Sequence, residues 1–162
     1  MAIPDFVLAL RELVGTAPLW LAGVTAVVCR DDEVLLARRA DNGAWTPVTG
    51  IIDPGEEPAD AAVREVAEEA AVQVVPERLV MVSVTPVVTY PNGDVSQYLD
   101  IAFRMRWLSG EPHPADGENT DTRWFHRDEL PSMSPDMAQR VEVALANQPG
   151  ALFRGGDAPR GR

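Results

Sequence analysis

Between Gly50 and Val72 the chain reads GIIDPGEEPADAAVREVAEEAAV, with seven acidic side chains (Asp53, Glu56, Glu57, Asp60, Glu65, Glu68, Glu69) and one basic one, Arg64. Like charges at close range repel, so this density needs a cause. Glu65, Glu68 and Glu69 stand three and four residues apart, which puts them on one face of a helix. Three carboxylates on one face offer hard oxygen ligands suited to Mg²⁺ or Mn²⁺, and a Mg²⁺ held this way keeps positions for water and substrate phosphate. A solvated acidic helix face is the other reading of the same residues. In the preceding loop Gly50 and Gly55 permit tight turns, Asp53-Pro54-Gly55 is turn chemistry, and Glu56 and Glu57 stand at a helix start. Such a loop can turn a backbone carbonyl toward the same cation.

These residues need elements to position them. Pro58 suits a first helical position, and the apolar spacing of Val63, Val66 and Ala70, with Ala59, Ala62 and Ala67, predicts a helix over 58–70 with that face buried. Upstream, 21–29 reads as a buried strand, Arg30-Asp31-Asp32 as a turn and 33–37 as the returning strand. A polar loop carries Arg38, Arg39, Asp41, Asn42 and Gly43. Downstream, 79–89 reads as a strand interrupted at Pro86, Pro91-Asn92-Gly93-Asp94 as a hairpin turn and 95–108 as its partner. Residues 111–120 form a polar Pro- and Gly-containing loop, 122–126 a short strand and 135–146 a last helix. Residues 4–20 read as a short amphipathic helix with Phe6, Ala9, Leu10, Leu13 and Val14 as its apolar stripe. It either packs on its own sheet or serves as a lid or dimer contact. This order of elements predicts an α/β (α+β) sandwich with a mixed sheet between helices.

The 162 residues suffice for one domain with a sizeable core. A net charge of -11 argues against binding a nucleic acid polymer or an anionic membrane. No apolar stretch reaches the length of a membrane span, and no leader pattern follows Met1. Cys29 is the single cysteine, so no internal disulfide forms, which fits a cytoplasmic location. Its apolar surroundings, VTAVV, read as those of a core thiol rather than a nucleophile.

The stretch resembles the signature of the Nudix (MutT-like) hydrolases: G, five residues, E, seven residues, R-E, an aliphatic, any residue, E-E, any residue, G, an aliphatic. Gly50, Glu56, Arg64, Glu65, Val66, Glu68, Glu69 and Val72 match at the expected spacing. Ala71 stands where the family has glycine, and Thr49 where a second glycine is frequent. Alanine just past a helix should cost about 1 kcal/mol of strain or shift the helix end. The resemblance covers roughly residues 20–146, with an N-terminal helical extension at 1–20, a Nudix domain at 21–148 and a structureless tail at 149–162.

The resemblance implies a Mg²⁺-dependent hydrolase, with Mn²⁺ as a substitute, acting on a small-molecule nucleoside diphosphate linked to another moiety. It implies Glu65 and Glu69 as principal metal ligands, Glu68 in the same shell, and the Gly50 carbonyl as a further ligand. Arg64 would orient a neighbouring carboxylate and Glu56 would support the loop. The general base would come from the helix, as Glu68, or from the later loop, as Glu118, with Asp116 and Asp121 as rivals. Arg38 and Arg39 would contact phosphate or ribose, or merely edge a strand. Tyr90, Trp45, Tyr98 and Trp124 would stack a base, or fill the core. Pro86 sits where relatives acting on ADP-ribose carry proline, and Tyr90 where relatives acting on dinucleoside polyphosphates carry tyrosine, so the two cues leave the substrate open. A homodimer is a further expectation. The alternatives are a pyrophosphohydrolase of oxidised nucleoside triphosphates, a nucleotide-sensing module and an acidic interaction domain. The last leaves the glutamate spacing without a reason.

Overall fold

A computed structural model describes residues 3–146, 148–153 and 155. The elements are α1 (Asp5–Val14), β1 (Leu19–Arg30), β2 (Glu33–Arg39), β3 (Trp45–Thr46), β4 (Val48–Ile51), α2 (Pro58–Ala70), β5 (Gln73–Val84), β6 (Val88–Thr89), β7 (Val95–Ser109), β8 (Asn119–His126), α3 (Pro135–Leu145) and β9 (Leu152–Phe153). They form one nine-stranded sheet in the order β3-β2-β1-β7-β5-β9, with β4 on β1, β6 on β7 and β8 on β2. The sheet is mixed: β1 runs parallel to β7, whereas β5 is antiparallel to β7. This is the expected α+β sandwich.

The apolar run of β1 is explained by burial on both faces. Val24, Ala26 and Val28 pack with Ala61, Ala62, Val66 and Ala70 of α2. Val27 and Cys29 point the other way, to Val141 and Ala144 of α3. A buried polar group crosses this second layer. Arg140 donates to Thr25 Oγ1 at 2.8 Å and to Asp136 at 2.8 Å, and lies 3.4 Å from Asp100. Arg78 closes the other end of α3 by donating to the carbonyls of Ala144, Ala146 and Gln148, where cations favour the helix dipole.

Three expectations need correction. In α1 the residues that dock are Val7 and Phe6, against Leu21 and Ile51, while Leu10, Leu13 and Val14 of the predicted stripe remain exposed. In α2 the buried set is Ala61, Ala62, Glu65, Val66, Glu69 and Ala70, so two glutamates are on the inner side and Ala67 is outside. In the expected structureless tail, Leu152–Phe153 pair with Met81 and Val82 of β5. Residues 154 and 156–162 lie outside the described residues.

Candidate active site

Glycine at position 50 is a steric requirement. A Cβ there would stand 2.1 Å from the Glu65 carboxyl carbon, so only a bare backbone lets β4 and that carboxylate meet. Register with β1, Gly50 against Val24 and Thr49 against Thr25, holds β4 in place.

Arg64 fastens the loop to the helix. Its Nε and Nη2 donate to the two oxygens of Glu56, each at 2.8 Å, as a bidentate fork. Nη2 also donates to the Ile51 carbonyl at 3.1 Å, and Nη1 to Glu65 at 3.0 Å and Glu68 at 3.3 Å. Glu56 in turn accepts from the Asp53 N–H at 3.1 Å. The guanidinium holds the Glu56 carboxyl below its usual range. Glu68 is the outermost of the three helix glutamates, with a side chain 54% exposed, whereas Glu65 and Glu69 are buried.

The left-handed turn after α2 survives without glycine. Ala71 adopts φ 55° and ψ 28°, and its N–H reaches the Ala67 carbonyl. Gly110 passes so close that a Cβ there would lie 2.9 Å from the Ala71 carbonyl oxygen. The loop that follows closes onto the last helical turn: the His113 N–H donates to Ala70 O and the Ala115 N–H to Glu69 O. These bonds satisfy carbonyls that a helix end leaves open. They also bring in Asp116 and Glu118, whose carboxylate oxygens and that of Glu69 lie within 4.8 Å of one another. Asn119, at the start of β8, donates from Nδ2 to Glu69 Oε2 at 3.0 Å. Burial pushes the Glu69 carboxyl up to about 7 against that hydrogen bond, and burial also raises Glu65, opposed by Arg64.

The donor set is therefore all oxygen, partly buried and short of positive charge, which fits a hard divalent cation. Glu69 and Glu118 of the expected residues come together there, joined by Asp116. Glu65 lies against Gly50 and Arg64, and Glu68 sits outward on Arg64. Asp121 pairs instead with Arg123.

The expected substrate residues are engaged with their own loops. Arg39 donates twice to Asp41 at 3.0 Å, and Arg38 Nε donates to the Gly43 carbonyl at 3.2 Å. The Ala40 N–H bonds the Glu118 carbonyl at 2.9 Å, which ties this loop to the acidic one. The Tyr90 and Tyr98 hydroxyls lie 2.7 Å apart. Trp45 meets Phe125 edge-on and Trp124 meets Trp107, and both are half-buried side chains packed against the core clusters. Pro86 lines an open groove of about 760 Å³ with Thr85, Gln97, Asp136 and Gln139. Sequence reading named Asp116 only as a rival base, without its place beside Glu69, and did not single out Asn119. Only the closeness of DGEN to the strand could have hinted at either.

This fold and site define a class, and the comparisons agree with it. The NUDIX domain family model matches residues 20–147, and the chain belongs to the Nudix family. Among curated relatives it is 33% identical over 130 residues to the NAD-capped RNA hydrolase NudC of Pseudomonas syringae pv. syringae (strain B728a), covering 77% of this chain and 44% of that protein. It is 34% identical over 133 residues to NudC of Pseudomonas aeruginosa (strain LESB58), with the same coverage. The chain thus spans less than half the length of these relatives. Among solved structures, a MutT NUDIX hydrolase from Burkholderia pseudomallei superposes with a TM-score of 0.60 at 25% identity, over 77% of this chain and 98% of that one. An ADP-ribose pyrophosphatase from Streptococcus suis 89-1591 shares the fold, with a TM-score of 0.63 at 23% identity, over 83% and 97% of the two chains.

Proposed function

We propose that the protein is a Mg²⁺-dependent pyrophosphohydrolase that cleaves the diphosphate bond of a nucleoside diphosphate linked to another moiety, with Mn²⁺ as a substitute. The observation that carries this reading is the meeting of Glu69 with Asp116 and Glu118, beside Glu65 and the glycine it requires. NudC relatives named for NAD-capped RNA and a structural neighbour named for ADP-ribose support the substrate class, since NAD and ADP-ribose both carry adenosine on a diphosphate. The acidic surface favours small substrates over long stretches of polymer.

Glu65, Glu69 and the Gly50 carbonyl would hold the cation, with Asp116 and Glu118 beside them and Glu68 at the outer side. When bound, it supplies charge to offset that of the phosphate oxygens and lowers the pKa of a coordinated water. The chain's own residues supply the rest. Arg64 keeps Glu56, Glu65 and Glu68 in one arrangement, so no reorganisation is needed at reaction. Water adds to phosphorus, the bridging P–O bond breaks, and the proton lost by the water passes to a carboxylate, for which Glu118 is proposed. Arg38 and Arg39 would meet phosphate or ribose by exchanging their loop contacts, with Tyr90 at the base. A reducing cytoplasm is the proposed location, in keeping with the buried Cys29 thiol.

The test is a panel of ADP-ribose, NADH, nucleotide sugars, dinucleoside polyphosphates and oxidised dGTP, with and without Mg²⁺, with products resolved by chromatography. Cleavage to two monophosphates, dependent on the cation, is expected for a nucleoside-diphosphate-linked compound. Glu118→Gln should slow it at least 100-fold, and Asp116→Asn less. Release of pyrophosphate from oxidised dGTP alone would replace the substrate class. Tight binding of one compound with no turnover would make the protein a sensor.

A further inference from the structure

We propose that Asn119 is a positioning residue for the cation site: its amide fixes the Glu69 carboxylate so that the remaining oxygen faces Asp116 and Glu118. This rests on the metal reading above. Asn119 is 6% exposed and Glu69 5%, and their 3.0 Å hydrogen bond joins β8 to α2 across the acidic loop. The donor is Nδ2, an N–H that carries no charge and cannot itself ligate a cation. It therefore occupies Oε2 without competing for the metal. The backbone of the same residue is held too, since the Ala115 N–H donates to the Glu69 carbonyl at 3.3 Å.

Glu69 is thus gripped at both ends by one segment, 115–119, and that segment also carries Asp116 and Glu118. The Glu118 N–H bonds Asp116 Oδ1 at 3.0 Å, which ties the Asp116 carboxylate to the backbone that carries Glu118. The Asn119 side chain is a direct link between this segment and the helix. Position 119 can do this because β8 meets β2 there through an irregularity: Arg38 pairs with Asp121, yet Arg39 pairs with Asn119. The extra residue turns the Asn119 side chain inward toward α2, next to the loop that needs it. Partners that orient metal ligands typically matter 10- to 100-fold for affinity.

The experiment measures Mn²⁺ binding to the whole chain by electron paramagnetic resonance, beside Tm without metal. Asn119→Leu keeps the branching of the side chain and removes the donor, with added volume; Asn119→Ser is a smaller change for use if leucine unfolds the protein. Either is expected to weaken Mn²⁺ binding about tenfold while far-UV circular dichroism is retained. A lowered Tm with unchanged Mn²⁺ affinity would reduce Asn119 to a packing residue and overturn the inference. Wild-type protein that binds no Mn²⁺ at all would remove the metal reading itself, so the two failures are distinct.

Discussion

Glu69 carries the sharpest physical tension in the molecule. Its carboxyl is buried beside two other acids, and burial raises it from 4.5 to about 7. An acid whose folded value is raised contributes stability that is complete below its unfolded value and is lost as pH rises through the folded one. Without metal, that contribution should fade between about pH 4.5 and 7, by at most about 3 kcal/mol. Glu69→Gln removes the charge. It should raise the metal-free Tm at pH 8 above that of the wild type, suppress most of the Tm increase caused by Mg²⁺, and lower turnover by orders of magnitude. Differential scanning fluorimetry at pH 5.5 and 8 reads the first two effects. A variant with wild-type Tm and an undiminished Mg²⁺ response would take Glu69 out of the site. Glu56 has the opposite sign. Arg64 holds it low, so its contribution is present above the unfolded value and is lost as pH falls through the folded one.

At the scale of the element, α2 depends on how it begins and ends. Pro58 at its start and the sequence pattern through Ala70 made its span readable, and the structure gives the same bounds. Its end was readable only as a question, because alanine replaces glycine in the signature. The backbone keeps the left-handed turn at Ala71 and bears the Cβ strain, since Gly110 and the 113–115 loop lock that turn from outside. Ala71→Gly should therefore stabilise the protein by about 1 kcal/mol, read as a higher urea midpoint with an unchanged slope. No gain, or a loss, would mean that glycine's greater unfolded freedom offsets the relief.

Across the whole molecule, the acidic character and the exposed apolar side chains pull in different directions. Trp20 on β1 is 59% exposed and Val84 on β5 48%, with β7 between the two strands, and Val87 is 60% exposed. Asp136 and Glu142 line the groove beside Val84, so Trp20 is the exposed aromatic farther from that charge in sequence and strand order. A second copy of the chain is the proposed cover for the Trp20 side chain. Light scattering should give about twice 17.6 kDa, and Trp20→Glu should give the monomer. A monomeric wild type at all concentrations would retire the proposal. Among the described residues no helix is long and apolar enough to cross a membrane.

The sequence by itself determined the layers, the helix bearing the glutamates, the hairpin at Asn92-Gly93 and the signature that places the chain in its family. These rest on periodicity, turn chemistry and fixed spacing, which act over a few residues and are written locally. Tertiary structure alone decided that Glu65 and Glu69 lie inside while Glu68 lies outside. It alone decided that Asp116 joins Glu118 at Glu69 and that Asn119 donates to the Glu69 carboxylate. It also chose Val7 and Phe6 as the docking residues of α1. Each of those outcomes depends on which distant backbone passes within reach, such as Gly50 beside Glu65 or Ala115 beside Glu69, and such encounters leave no period in the chain.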